Sequence, residues 1–132
     1  MIKGISHLTF IVKDLERAST FFKIVFDAEE IYSSGNKTFS LSKEKFFLVN
    51  GQLIVIMEGE SLSDRTYNHI AFKIPDDEFD KYKERVRILG LDLKMPRQRV
   101  EGEGHSLYFD YDNHLFELHT GNLSERLDRY VK

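Results

Sequence analysis

The stretches "ISHLTFIV" (residues 5–12) and "YNHIAFKI" (residues 67–74) decide how this chain is read. Each alternates polar and apolar residues as a half-buried strand does, and each carries a histidine, His7 or His69, near its start. The two histidines are 69 − 7 = 62 residues apart. Carried along the chain, that offset lays Phe10 on Phe72, "EKFF" (44–47) on "SLYF" (106–109) and "LIVIMEG" (53–59) on "LFELHTG" (115–121). Leu53 then meets Leu115, and Gly59 meets Gly121. A repeat at fixed offset governs every later assignment.

Between these landmarks each half holds one amphipathic helix. Leu15, Ala18, Phe22 and Val25 share a spacing with Phe79, Tyr82, Val86 and Leu89: 3, 7 and 10 positions on from the first residue, one helical face. Asp14 is placed to cap the first helix, Asp76 or Asp77 the second, and Gly90 suits a left-handed helix end. Strands are expected near residues 29–33, 37–49 with an internal turn, and 52–57, then near 91–95, 105–110 and 114–119. "SGN" (34–36) and "DYDN" (110–113) mark turns, and no low-complexity linker divides the halves. The expectation is one α+β domain over 1–132, built from two tandem βαβββ modules at about 3–59 and about 66–121, with a tail over 122–132.

Composition narrows the function. With 19 basic against 22 acidic residues and a net charge of −3, the chain lacks the basic footprint of a nucleic-acid binder. No apolar run approaches the ~20 residues of a membrane helix, and "MIKGISHLTFIVKDLE" reaches charge before a secretory segment could form, so the expected location is cytoplasmic. There is no cysteine, hence no disulfide, thiolate ligand or thiol nucleophile, and any metal must be held by imidazole and carboxylate.

Strand parity sorts the polar residues. His7, Thr9 and Ile11 oppose Leu8, Phe10 and Val12; Tyr67 and His69 oppose Ile70 and Phe72. Ser106 and Tyr108 oppose Leu107 and Phe109, and Glu117 and His119 oppose Phe116 and Leu118. In each repeated strand a polar set lies away from the helix. A sheet with helices outside and a polar concave inside would let His7, His69 and Glu117 converge, a set suited to Mn, Fe, Zn or Ni with positions open for substrate. Parity equally permits unconnected polar residues on a wet sheet face.

A repeated βαβββ unit with His on the first strand of each half and Glu on the last resembles the vicinal oxygen chelate superfamily, which includes glyoxalase I, extradiol dioxygenases and fosfomycin resistance proteins. Within it, "SHLTFIVKDLERASTFF", "AEEIYSSGNKTFSLSKEKFF", "TYNHIAFKI" and "EGEGHSLYFDYDNHLFELHTGNLSERL" look like the fosfomycin resistance branch, and most like the FosX-type fosfomycin hydrolases. The resemblance implies a cupped mixed sheet, a homodimer formed by pairing modules across subunits, and a Mn(II) site of His7, His69 and Glu117, with the first-strand histidine supplied by the partner chain. It places Arg126 at the phosphonate-binding arginine, and Thr9, Tyr67, Ser106 and Tyr108 among the groups lining the anion pocket. A doubly charged phosphonate needs such a mix of cation and donors, because burying it unpaired is costly. Arg97 or Arg99 in "PRQRVEGEG" is a second candidate cation.

Two departures stand out. His105 occupies a position where close relatives carry Arg, and Gly102 one where thiol-transferring relatives have a serine in a potassium loop, which argues against potassium activation. His119 shares the face of Glu117 and is read as supporting it, while His114 in the "DNH" turn is read as structural.

Glu44 in "LSKEKFF" matches the general base of the hydrolases, although a carboxylate between Lys43 and Lys45 reads by itself as a solvated pattern. With a base there, water would attack C1 of the fosfomycin oxirane and give a vicinal diol phosphonate. The alternatives are a thiol transferase acting on the same antibiotic, glyoxalase- or dioxygenase-like chemistry, or a metal-free drug-binding module.

Overall fold

The offset of 62 residues belongs to the hydrogen-bond ladder as well as to the sequence. A computed structural model describes residues 1–94, 101 and 103–131; Arg97, Arg99 and Gly102 lie outside the described residues. The chain divides into two units, Met1–Ser63 and Asp64–Lys132.

In the first unit, β1 (His7–Val12), α1 (Leu15–Phe26), β2 (Glu29–Ser33), β3 (Glu44–Val49) and β4 (Gln52–Glu58) follow in chain order. The sheet order is β1-β4-β3-β2, with β1 parallel to β4 and the other pairs antiparallel. In the second, β5 (His69–Lys73) leads through a single 3₁₀ turn (Asp76–Glu78) into α2 (Phe79–Ile88). Then come β6 (Leu93–Lys94), β7 (Ser106–Tyr111), β8 (His114–His119) and α3 (Leu123–Tyr130), with sheet order β5-β8-β7-β6. His7 pairs with Leu53 as His69 pairs with Leu115, and Glu44 pairs with Met57 as Ser106 pairs with His119. Every one of these positions differs from its counterpart by 62.

The two-residue turns that fix this register also repeat. Asn50 (φ 46°) and Gly51 (φ 80°) join β3 to β4, and Asp112 (φ 48°) and Asn113 (φ 66°) join β7 to β8. Positive φ at both central residues matches the right-handed twist of a hairpin, and Asn, Asp and Gly tolerate it best.

In the first unit Asp14 caps α1 as expected, its carboxylate accepting from the Arg17 N–H at 3.0 Å. The helix buries Ala18, Phe21, Phe22, Val25 and Phe26. Phe22 stands with Phe10 on one side and Phe47 on the other, at centroid separations of 6.0 and 6.1 Å, over the fully buried Ile54 and Ile56. The second unit's helix is thinner cover: α2 buries only Val86 fully. Gly90 takes φ 70°, the left-handed conformation expected of it.

Two expectations need correction. Neither Asp76 nor Asp77 caps α2: Pro75 leads into the 3₁₀ turn they occupy, and the helix proper starts after Glu78 with no side-chain cap bond. Residues 37–43 are bend and irregular chain rather than strand, and the Thr38 hydroxyl donates to the Ser42 carbonyl at 2.7 Å, closing the segment on itself. The tail from 122 forms α3, whose Asn122 side chain accepts from the Glu125 N–H at 2.9 Å while donating to the Glu125 carboxylate.

Candidate active site

In the second unit the register brings the expected residues onto one face. Glu117 on β8 lies between Ala71 of β5 and Tyr108 of β7, and His69 is a diagonal neighbour one step along the sheet. Glu117 is 6% exposed, and Ser106 and Tyr108 are buried beside it, so the face is dry around the carboxylate and open to solvent at His69 and Tyr67.

The His69 Nδ1 is 2.6 Å from the carbonyl of Tyr67. A carbonyl only accepts, so Nδ1 carries the proton and a neutral ring leaves the lone pair on Nε2. That Nε2 stands 3.0 Å from Glu117 Oε1. Two acceptors facing each other call for a cation between or beside them, either a proton or a metal. Metal–donor bonds of about 2.1 Å at right angles separate the donors by about 3.0 Å, so the pair fits two adjacent positions on a divalent ion. Among the described residues no group of three His, Asp or Glu side chains is arranged to hold a metal; by itself the pair could offer a metal two donors.

Around the pair the support is polar and aromatic. Tyr108 meets the His69 ring edge-on at 5.5 Å, and its hydroxyl is 3.2 Å from that of Tyr67, whose ring lies 4.8 Å from His69. The Ser106 hydroxyl donates to Glu117 Oε2 at 2.5 Å and lies 2.7 Å from His119 Nδ1. His114 begins β8 opposite Tyr111, a place in the ladder and not at the carboxylate.

Arg126 is on α3, where its Nε donates to the Tyr130 hydroxyl at 3.2 Å and stands 4.0 Å from Glu103. Tyr130 in turn donates to Glu103 at 2.6 Å. Glu103 is 1% exposed and was not singled out from sequence, where "EGEGH" offers nothing to distinguish its two acids. The backbone beside it is crowded: a Cβ on Gly104 would come 2.5 Å from the Gly121 nitrogen. Glycine at both positions lets the segment 103–105 close onto the end of β8, where the His105 N–H donates to the Thr120 hydroxyl.

In the first unit His7 and Thr9 are exposed on the face of β1 away from α1, and the His7 Nδ1 lies 3.0 Å from the Ser6 hydroxyl. Glu44 is on the same face at the start of β3, and it is 7% exposed. Its neighbour Lys45 points the other way, toward α1, where it pairs with Glu16 at 3.1 Å and Glu30 at 3.2 Å. Glu44 is therefore not one of a row of solvated charges. The Ser34 hydroxyl accepts from its N–H, and the Ser34 N–H donates to its carbonyl, both at 3.0 Å, so the residue's backbone is fixed at the edge of the preceding loop.

Comparison with known proteins gives the geometry a family. The profile of the glyoxalase/bleomycin resistance protein/dioxygenase superfamily matches residues 4–118. The fosfomycin resistance protein FosX of Listeria innocua is 65% identical, over 100% of this chain and 100% of that protein. A crystal structure of a glutamate-to-glutamine variant of FosX from Listeria monocytogenes, complexed with Mn(II) and a dihydroxypropylphosphonic acid, superimposes with TM-score 0.91 at 62% identity, covering 98% of this chain and 100% of that one. The metallothiol transferase FosB of Lysinibacillus sphaericus is more distant, 38% identical over 99% of this chain and 92% of that protein.

Proposed function

The chain belongs to the glyoxalase/bleomycin resistance protein/dioxygenase superfamily, and from that premise we propose that it is a Mn(II)-dependent epoxide hydrolase that inactivates fosfomycin by adding water at C1 of the oxirane. The observation that carries this reading is the approach of His69 Nε2 to Glu117 Oε1 at 3.0 Å, in a chain 62% identical to a FosX crystallised with Mn(II) and a dihydroxypropylphosphonic acid. That acid is the vicinal diol that water addition to the fosfomycin ring would produce.

His69 and Glu117 hold the ion together with His7 of the partner subunit in a homodimer, which acts in the cytoplasm. The module boundaries, about 3–59 and about 66–121, are those of the pairing units. Bound there, Mn(II) supplies a Lewis acid to the oxirane oxygen as the ring opens. Arg126, with Thr9, Tyr67 and Tyr108, takes the phosphonate oxygens, and Arg97 or Arg99 adds a second cation. Glu44 takes the proton of the attacking water at its carboxylate, a role worth roughly 10²- to 10⁴-fold. Its low exposure supports that role over the solvated one.

The FosB likeness makes thiol transfer the competing reading. Incubation with Mn(II) and fosfomycin and no thiol, followed by ³¹P NMR, separates them. Dihydroxypropylphosphonic acid is the expected product; no product until a thiol is added would assign the chain to the transferases.

A further inference from the structure

Ser106 has one hydroxyl proton and two close partners. It donates that proton to Glu117 Oε2 at 2.5 Å, so the second close atom, His119 Nδ1 at 2.7 Å, must be the donor of the second bond. The three groups form a directed chain: the His119 Nδ1–H donates to the Ser106 oxygen, and the Ser106 O–H donates to the carboxylate. The chain ends on Oε2, while Oε1 of the same carboxylate is the atom that faces His69 at 3.0 Å.

We infer that Ser106 and His119 are positioning residues for the metal ligand Glu117, fixing its carboxylate rotation so that Oε1 is presented with His69 Nε2. This rests on the metal assignment proposed above, and it gives Ser106 a different task from the phosphonate contact that resemblance implies. A carboxylate has two equivalent oxygens and a soft terminal torsion, so a lone Glu could present either oxygen or both. Occupying Oε2 with a short donor removes that freedom. The direction matters too, because a hydroxyl whose proton is committed to Glu117 is not also available to donate to a phosphonate oxygen.

Register explains why these residues cooperate. Ser106 and His119 are direct cross-strand partners on β7 and β8, and Glu117 is two residues before His119 on the same face. All three are largely dry: Ser106 and Glu117 are each 6% exposed and the His119 side chain 16%. The chain is also secured beyond His119. The Lys73 ammonium donates to the Gly121 carbonyl at 2.7 Å, and the Thr120 N–H donates to the His105 carbonyl at 3.0 Å, holding the strand end from which the imidazole projects.

The test reads Mn(II) affinity directly, by electron paramagnetic resonance of the free ion, alongside kcat and KM at saturating Mn(II). Ser106→Ala should raise the Mn(II) Kd by about 10- to 100-fold, the scale for a group that orients a ligand, with KM for fosfomycin within about twofold once Mn(II) is saturating. His119→Ala should do the same, and the double variant should be no worse than either single one, because the two act in series. His119→Asn places an amide N–H where Nδ1 stood and should restore affinity, which a merely structural role for the imidazole would not. Wild-type Mn(II) affinity in Ser106→Ala with a raised KM would overturn the inference and return the hydroxyl to the substrate. Glu117→Gln separates the two levels. If it leaves Mn(II) affinity intact, the ligand assignment fails and the inference with it; if it abolishes affinity while Ser106→Ala does not, only the inference fails.

Discussion

The two units carry the same ladder and different chemistry. At matched positions 62 apart, His7 and His69 are alike, but Val55 stands where the second unit has Glu117, Glu44 where it has Ser106, Phe46 where it has Tyr108, and Met57 where it has His119. One histidine per unit is kept, the hydrogen-bonded carboxylate facing it occurs in the second unit alone, and the first places its one buried carboxylate at the point where the other has Ser106. A repeated backbone fixes where side chains can meet; the residue types at those points decide which chemistry, metal binding or proton transfer in the proposed function, each point can carry.

The largest way to break that comparison is to remove the histidine of the second unit, the proposed ligand. His69→Ala should lower turnover by about 10³-fold or more, since the Lewis acid accounts for several kcal/mol of transition-state stabilisation. Val55→Glu, which writes the proposed ligand residue into the first unit, should create no second Mn(II) site, because no hydroxyl and imidazole stand at 44 and 57 to orient it. Metal content and initial rates check both; two ions per chain in Val55→Glu would show that the carboxylate alone was the difference.

A smaller effect sharpens the contrast in helix packing. Phe22 lies between Phe10 and Phe47 under a helix that buries a whole face, whereas Val86 is the one fully buried side chain of α2. Phe22→Ala should destabilise by about 3–5 kcal/mol and Val86→Ala by about 2 kcal/mol, measured by urea unfolding. Equal costs would mean that the second sheet is covered as firmly as the first.

Lys45 tests the opposite face of Glu44's own strand. Burial pulls its ammonium down, but the hydrogen bonds it donates to Glu16 and Glu30 outweigh that and leave its pKa raised. Burial likewise pushes the Glu30 carboxyl up, and its bonds to Lys23 and Lys45 outweigh that and leave it lowered. Lys45→Met should therefore cost about 1–2 kcal/mol near neutral pH with turnover unchanged. Because the folded pKa of Glu30 is depressed, its contribution is present above the ordinary carboxylate pKa of about 4.3 and is lost as pH falls through the lowered value, so the cost of the substitution should shrink in acid.

Much of this was legible in the sequence, and for a definite reason. Parity and one offset locate His69, Glu117, Ser106 and His119 on one face because strand geometry has period two and the turns at 50–51 and 112–113 hold both hairpins in the same register. The Asn-Gly at 50–51 is a strong hairpin signal and was there to be read, as was Asn122 with Glu125 for α3. The burial of Glu44 was not legible. "KEK" looks solvated until Glu16 and Glu30, 29 and 15 residues away from Lys45, draw that lysine onto the far face. Nor was the tie between Arg126, Tyr130 and Glu103, which depends on segments meeting across more than twenty residues of chain and on two glycines without side chains to keep them apart. The direction of the Ser106 bond follows only from its short distances to both partners.

The central claim is that the first unit supplies the base through Glu44 while the second holds the metal ligand Glu117. It is tested most directly by Glu44→Gln titrated with fosfomycin in the presence of Mn(II) and no thiol. Gln keeps the size of Glu and some of its hydrogen bonding but cannot take a proton near neutral pH. The account predicts wild-type Mn(II) and fosfomycin binding with diol formation lowered by on the order of 10²-fold or more. Diol formation at the wild-type rate would contradict it.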